Sequence, residues 1–206
     1  MKQPNIVIIN YGIGNTFSIL SAIKALDYRK VIISNSPKDI VEANYLILPG
    51  VGAFASCIEN LKKSKLPKIL DDVVKNKSTP ILGICVGMQV MAEYSEENGI
   101  HKGLGWIPGK VIKIKSQNKL KVPHVGWNEI SFAQDHKLFD NIKNNSHYYF
   151  DHSYHYSCSK EYNLASFKYP TELSAIIKKN NIIGVQFHPE KSSNNGLRLL
   201  RNFLSL

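Results

Sequence analysis

The N-terminal half of this chain alternates short, predominantly apolar runs with segments whose apolar residues recur every three or four positions. The apolar runs occupy residues 6–9, 30–33, 43–48 and 80–85. Strands buried on both faces of a parallel sheet have continuous apolar sequences, and the helices between them supply the crossovers that parallel pairing needs. The pattern therefore predicts an α/β fold with a mainly parallel sheet flanked by helices.

Apolar residues at helical spacing follow most of these runs. Pro67 suits the first turn of the third predicted helix, where a missing N–H has no consequence. We expect the fourth helix to run from the end of the 80–85 strand to Tyr94. The helical positions are Phe17, Leu20, Ile23 and Leu26; Ile58 and Leu61; Ile69, Leu70, Val73 and Val74; and Val86, Val90, Met91 and Tyr94.

The C-terminal half changes to a strand-rich pattern. A final amphipathic segment over residues 196–206 predicts a helix. Because no linker, repeat or low-complexity stretch divides the chain, we expect a single domain over residues 1–206 with antiparallel strands in its C-terminal half. The strand-like segments are residues 110–115, 128–132, 148–156, 173–177 and 182–187.

The composition excludes several classes of protein. Of the 206 residues, 43% are hydrophobic and 20% charged, as in globular chains. No apolar run approaches the roughly 20 residues of a membrane helix, and no leader pattern is visible, so we expect a cytoplasmic protein without a membrane span. The net charge is +10, but only three of the 26 basic residues are arginine, which does not favour a nucleic acid partner. Three cysteines without a CxxC pair predict reduced thiols and no metal site.

The motif Gly83-Ile-Cys85-Val-Gly87 stands at the junction of a predicted strand and helix. Small residues two positions either side of a nucleophile allow the sharp, strained turn of a nucleophile elbow. The positive end of the following helix would favour the thiolate. The Val86 N–H would be free to bind an oxyanion. Cys85 is therefore a candidate nucleophile, although a buried structural cysteine is the plainer interpretation of the residue by itself.

Two further motifs follow predicted strands. His188-Pro-Glu190 comes directly after the 182–187 run, where a base and the acid that orients it would be held stiffly. Pro49-Gly-Val51-Gly follows the 43–48 run, and the Val51 N–H would supply the second donor of an oxyanion hole. Taken singly, the first could be an ordinary polar strand end and the second a tight turn.

Together these motifs resemble the class I (triad) glutamine amidotransferases, whose sheet is flavodoxin-like. The match runs through the whole chain in order. Further motifs are similar, more narrowly, to the glutaminase subunits of imidazole glycerol phosphate synthases. They are Asn10-Tyr-Gly-Ile-Gly-Asn15, Gly103-Leu-Gly105, Pro123-His-Val-Gly-Trp-Asn128, His152-Ser-Tyr154 and Gln186-Phe-His-Pro-Glu-Lys-Ser-Ser193.

The resemblance implies a Cys-His-Glu triad without a cofactor. Cys85 would attack the carboxamide of glutamine, His188 would take the thiol proton and later protonate ammonia, and Glu190 would orient His188. It also implies that the substrate is bound by Gly52, Gln89 and Glu97, with the backbone of His152, Ser153 and Tyr154 lining the site. Two positions depart from the family's usual pattern: Val86, where leucine is usual, and Asp151, where an apolar residue is usual.

The same resemblance implies a heterodimer with a barrel cyclase subunit. Ammonia would pass to that partner and be used on a phosphorylated ribulosyl-formimino nucleotide in histidine biosynthesis, and Asn15 and Trp127 would face the partner. Trp127 could equally be a core edge, and Glu97 a solvated acid at a helix end. Two other functions stay open: a glutaminase subunit serving another synthase, such as one that aminates sugars, and a catalytically silent binding subunit.

Overall fold

The computed structural model describes residues 3–116, 120–133 and 135–206. Within those ranges the chain forms strands β1 (Ile6–Ile9), β2 (Val31–Ser34), β3 (Tyr45–Leu48), β4 (Ile81–Ile84), β5 (Tyr94–Ser95), β6 (His101–Lys102), β7 (Lys110–Lys113), β8 (His124–Ile130), β9 (Ser146–His152), β10 (Tyr154–Ser157), β11 (Asn163–Lys168), β12 (Glu172–Lys179) and β13 (Ile182–Val185). The α-helices are α1 (Thr16–Lys24), α2 (Pro37–Val41), α3 (Phe54–Lys63), α4 (Pro67–Asp71), α5 (Val86–Gln89) and α6 (Ser193–Phe203).

Seven strands form the main sheet, in the order β11-β12-β13-β4-β3-β1-β2. The strands from β2 to β13 are mutually parallel, whereas β12 and β11 continue the sheet in antiparallel pairing. Strands β1, β4 and β13 are buried along their full length, as strands covered on both faces should be. The predicted α/β class, with a mainly parallel sheet and antiparallel strands in the C-terminal half, is confirmed.

Two smaller sheets lie beside the main one. Strands β10, β7, β5 and β6 form a four-stranded sheet, and β8 pairs with β9 in a two-stranded ribbon. The 148–156 segment, which we expected to be one extended run, is therefore divided at Ser153. The two parts separate because β9 pairs with β8 while β10 pairs with β7.

The helix predicted to continue to Tyr94 ends at Gln89, and Tyr94 lies in β5. The prediction was wrong because backbone groups from another segment take the carbonyls that the helix would have used: the Leu104 N–H donates to the Val90 carbonyl at 2.8 Å. This close approach requires Gly103, where a Cβ atom would overlap the Ala92 carbonyl oxygen. Tertiary hydrogen bonds thus replace the helical ones.

Other helix predictions are confirmed with shifted ends. Pro67 occupies the first turn of α4, and a π-helical turn over Asp72–Asn76 continues the buried face through Val73 and Val74. The last helix, α6, begins at Ser193 and packs against α1. None of the helices in the described ranges is long and apolar enough to cross a membrane.

The tightest backbone contact between β3 and α5 depends on Gly87, where a Cβ atom would overlap the carbonyl oxygen of Leu48. We expect Gly87→Ala to lower the free energy of unfolding by about 2 kcal/mol or more, because a strand carbonyl cannot move aside as a flexible side chain can. Chemical denaturation would measure the change.

A matched control is Gly105→Ala. A Cβ atom there meets open space, but φ is +64°, so the loss should be about 1 kcal/mol from backbone conformation alone. Equal losses in the two variants would contradict the steric explanation at Gly87.

Candidate active site

Cys85 lies at the turn between β4 and α5, buried and in a strained backbone conformation with φ 55° and ψ −113°. Such a conformation lifts the side chain out of the line of the strand, as a nucleophile elbow requires. Val86 is the first residue of α5, so its N–H has no carbonyl partner within the helix. The predicted elbow geometry is therefore present, with a backbone N–H that lacks a helical partner adjacent to the thiol.

The helix dipole at Cys85 contributes less to the stabilisation of a thiolate than the sequence indicated. Helix α5 contains four residues, so few peptide dipoles are aligned behind Cys85. Charge stabilisation of the thiolate must come mainly from a neighbouring side chain instead. The neighbouring side chain that can carry this positive charge is His188.

Parallel pairing of β4 with β13 brings the second motif beside the first. Val185 lies opposite Ile84, and its carbonyl accepts the Cys85 N–H at 2.8 Å. The chain beyond β13 therefore leaves the sheet next to Cys85. His188 follows three residues later, and its backbone N–H donates to the Tyr149 carbonyl at 2.9 Å, which holds that turn in place.

His188 and Glu190 form a buried pair. The Nδ1 atom of His188 lies 2.9 Å from Oε1 of Glu190, and the two side chains are 4% and 0% exposed. A carboxylate at this distance keeps the proton on Nδ1 and turns Nε2 away from it, as an orienting acid does in a triad.

The charge on His188 depends on its two partners. Burial lowers the pKa of this imidazole, but hydrogen bonding and electrostatic attraction to Cys85 and Glu190 outweigh burial and raise the pKa to about 10. The imidazolium is thus the form of His188 present at neutral pH. Since the unperturbed value is 6.5, this interaction stabilises the folded state fully below about pH 6.5 and is lost as the pH rises through about 10.

A cavity of about 300 Å³ joins these groups. Its lining includes every residue that the sequence assigned to the triad except Glu190. Both oxyanion candidates and all six substrate-binding candidates line it as well. Those lining residues are Cys85 and His188; Val51 and Val86; and Gly52, Gln89, Glu97, His152, Ser153 and Tyr154. Asp151 also lines it, with its backbone carbonyl 3.8 Å from the Cys85 Sγ atom and its side chain exposed.

The loop that carries Val51 is tied down on both sides. The Tyr11 hydroxyl donates to the Pro49 carbonyl at 2.5 Å, and the Phe54 N–H donates to Glu97 Oε2 at 2.7 Å. Glu97 is therefore a brace for this loop as well as a lining residue. Sequence reasoning gave Tyr11 no role, because nothing in its sequence position signals a contact with residue 49.

Gln186, the first residue of one of the motifs quoted above, is a second residue to which sequence reasoning gave no role. It is fully buried, and its Nε2 atom lies 3.8 Å from Cys85 Sγ while its Oε1 atom accepts from Gln89 Nε2 at 3.1 Å. Gln89 also donates to the Tyr154 carbonyl at 2.9 Å, so its amide supports the floor of the cavity. The available signal was a single polar residue within the apolar run 182–187.

The two predicted partner-facing residues lie outside the cavity. Trp127, on β8, is 52% exposed and lies edge-on to Tyr149, with 6.2 Å between ring centroids. Asn15 precedes α1 and accepts a hydrogen bond from Ser18. Across the described residues, no cluster of three histidine, cysteine or acidic side chains could hold a metal ion.

Comparison with known proteins identifies the family of this chain. The family model for glutamine amidotransferase class-I matches residues 7–206. "Imidazole glycerol phosphate synthase subunit HisH 2" of Vibrio vulnificus is 46% identical over 97% of this chain and 93% of its own length. "Imidazole glycerol phosphate synthase subunit HisH" of Methanocaldococcus jannaschii is 45% identical over 97% of this chain and 98% of its own.

Solved structures share the fold at low identity. PurLQS from Thermotoga maritima superposes with a TM-score of 0.76 at 14% identity, covering 99% of each chain. A glutamine amidotransferase from the same organism superposes with a TM-score of 0.65 at 16% identity, covering 100% of this chain and 82% of the other. With its cysteine elbow, its buried His–Glu pair and a family match over nearly its whole length, this chain belongs to the class-I glutamine amidotransferases.

Proposed function

We propose that this chain is the glutaminase subunit of an imidazole glycerol phosphate synthase, acting as one domain. It hydrolyses glutamine to glutamate and ammonia through a thioester on Cys85. The observation that carries the proposal is the position of Cys85 beside the buried His188–Glu190 pair, at the ends of the neighbouring strands β4 and β13 and on one cavity.

The first half of the reaction uses the charged pair. The Cys85 thiolate attacks the carboxamide carbon of glutamine, and the oxyanion that forms is bound by the N–H groups of Val86 and Val51. Formation of the carbon–sulfur bond removes the negative charge from Sγ. One cause of the high pKa of His188 is then gone, so the imidazolium gives its proton to the amide nitrogen, which leaves as ammonia.

The second half regenerates the thiolate–imidazolium pair. Neutral His188 takes a proton from water, which attacks the thioester carbon, and the carbon–sulfur bond breaks to release glutamate. Glu190 keeps its hydrogen bond to Nδ1 throughout and thereby directs Nε2 towards the reacting atoms. The proton of the new carboxyl group passes to ammonia or solvent, and the steps involve no change of oxidation state, so the chain needs no cofactor.

Substrate binding is assigned to the walls of the same cavity. Glu97 supplies negative charge for the α-ammonium group of glutamine, while Gly52 and the backbone of Ser153 and Tyr154 border the substrate. Gln89 supports the cavity floor beneath the substrate, because its amide already donates to the Tyr154 carbonyl and to Gln186. His152 contributes through its backbone, since both ring nitrogens have other partners.

Ammonia passes to a barrel cyclase subunit, in a heterodimer that contacts Asn15 and Trp127. The ring-forming lyase step belongs to that partner, and this chain contributes the hydrolysis. The names of relatives more than 40% identical over nearly the full chain support this pathway. The three cysteines are free thiols, which supports a reducing compartment such as the cytoplasm. We assign no nucleic acid or membrane partner.

Substitution of the nucleophile tests the chemistry. Cys85→Ala should lower glutamate release from glutamine by about a thousandfold or more, because no other group can form the thioester. A coupled assay of glutamate would measure it. Cys158→Ala, at a half-buried thiol that does not line the cavity, is the matched control and should retain wild-type activity. Residual turnover of Cys85→Ala near the wild-type rate would refute the mechanism.

The partner assignment has its own test. Pro49 and Phe54 hold the ends of the loop, but the side chain of Val51, the second proposed oxyanion donor, is 39% exposed between them. A docked partner can therefore contact Val51 directly and adjust the orientation of its N–H. We expect slow glutamine hydrolysis by the isolated chain and at least about tenfold activation by the barrel cyclase subunit of the same organism with its nucleotide substrate. No activation would contradict this pathway and favour another synthase, such as a sugar-aminating enzyme.

The charge state of His188 is testable without substrate. Glu190→Gln removes the negative charge at 2.9 Å, so the pKa of His188 should fall below its wild-type value of about 10. Titration of the imidazole protons by NMR would measure the pKa of His188 in the wild-type protein and in the variant. An unchanged pKa in the variant would show that Glu190 does not stabilise the imidazolium.

A further inference from the structure

Two buried imidazoles outside the triad contact each other. His124 on β8 and His152 on β9 are directly opposite in the ribbon, and they are 4% and 6% exposed. His124 Nδ1 lies 3.1 Å from His152 Nε2. The proposed chemistry uses neither ring, so their burial side by side requires another explanation.

The surrounding groups allow one arrangement of protons. His152 Nδ1 lies 2.8 Å from the Tyr154 carbonyl oxygen, which can only accept, so this nitrogen carries the proton. His152 Nε2 is then the acceptor, and the facing proton belongs to His124 Nδ1. His124 Nε2 in turn accepts from the Asn128 side-chain amide at 3.4 Å. The three side chains form a hydrogen-bond chain with a single direction.

Both imidazole rings stay neutral, as this chain of hydrogen bonds requires. Burial lowers the pKa of His124 to about 4 and that of His152 to about 3. The His124 ring is also fixed in its plane, because it stacks on Tyr169 with 3.9 Å between centroids and on Phe167 with 5.4 Å. At neutral pH, therefore, neither protonation of a ring nor rotation of the His124 ring breaks these hydrogen bonds.

The chain of hydrogen bonds ends at the floor of the active-site cavity. The Tyr154 carbonyl accepts from His152 and also from Gln89 Nε2 at 2.9 Å. Gln89 Nε2 reaches Gln186 Oε1 at 3.1 Å, and Gln186 Nε2 lies 3.8 Å from Cys85 Sγ. At its other end, Asn128 follows the exposed Trp127 on β8 and also donates to the Lys168 carbonyl at 3.2 Å.

We propose that His124 and His152 are positioning residues, which hold the Tyr154 carbonyl and thereby the Gln89–Gln186 amide pair in place beneath Cys85. They couple the exposed face of β8 to the nucleophile through hydrogen bonds of defined direction. This inference rests on the proposed glutaminase function. It assigns a role to two imidazoles that never touch the substrate with their rings.

The test compares two substitutions at one position. His124→Phe keeps the stacking on Tyr169 but removes the donor to His152, so kcat for glutamine hydrolysis in the cyclase complex should fall about tenfold with KM changed less than about twofold. His124→Asn places an amide N–H near the former Nδ1–H and should recover most of kcat. His155→Phe is the matched control, since His155 bonds only its neighbour's carbonyl, at 3.2 Å, and should leave kcat unchanged.

A spectroscopic measurement decides the inference independently of activity. In the wild-type chain, ¹⁵N NMR should find both rings neutral at pH 7 with the proton on Nδ1, and His124→Phe should shift the His152 resonances. The His152 proton on Nε2, or a folded His124→Phe variant with wild-type kcat, would overturn the proposal. Equal loss of kcat in His124→Phe and His124→Asn would also overturn it. Failure of the function itself is distinguishable, because then the wild-type complex would not hydrolyse glutamine whatever the tautomers.

Discussion

The parallel pairing of β4 with β13 is the interaction on which the rest of the site depends. These strands are far apart in sequence, yet the hydrogen bond from the Cys85 N–H to the Val185 carbonyl, at 2.8 Å, makes their ends coincide. A nucleophile and a base that meet in this way are held by two strands buried on both faces, which are among the least deformable elements of an α/β fold. In the proposed mechanism the imidazolium of His188 supplies the charge stabilisation that the four-residue helix α5 cannot.

Close backbone packing maintains the strained turn at Cys85. Gly87 lies against the Leu48 carbonyl, and Gly50 lies against the backbone of the same turn, so the β3 loop and the elbow fit together without side chains between them. This contact also sets the position of Val51 relative to Val86. The strain at the nucleophile is therefore balanced by contacts that a larger residue at either glycine would disrupt.

Buried polar side chains organise the other side of the cavity. Gln186, Gln89, His152 and His124 are each largely removed from water, and each has a hydrogen-bond partner. In such surroundings a missing partner is expensive, so the network has one geometry rather than several. That property suits a site in which a sulfur atom and a carboxamide carbon must meet at bonding distance.

The sequence by itself determined the fold class and the candidate triad. Continuous apolar runs with helical segments between them predict a parallel sheet, and the motifs at residues 83–87 and 188–190 signal their chemistry through local spacing. Both properties are local, because periodicity and turn geometry depend on residues a few positions apart.

Only the tertiary structure decided how far α5 extends and which polar residues support the site. The helix ends at Gln89 because the Leu104 N–H, distant in sequence, takes the Val90 carbonyl. Tyr11 and Gln186 support residues of the cavity through contacts that no spacing rule encodes, at residue 49 and at Cys85. Hydrogen bonds between segments depend on how the whole sheet is assembled, and for that reason they cannot be predicted from the periodicity of one segment.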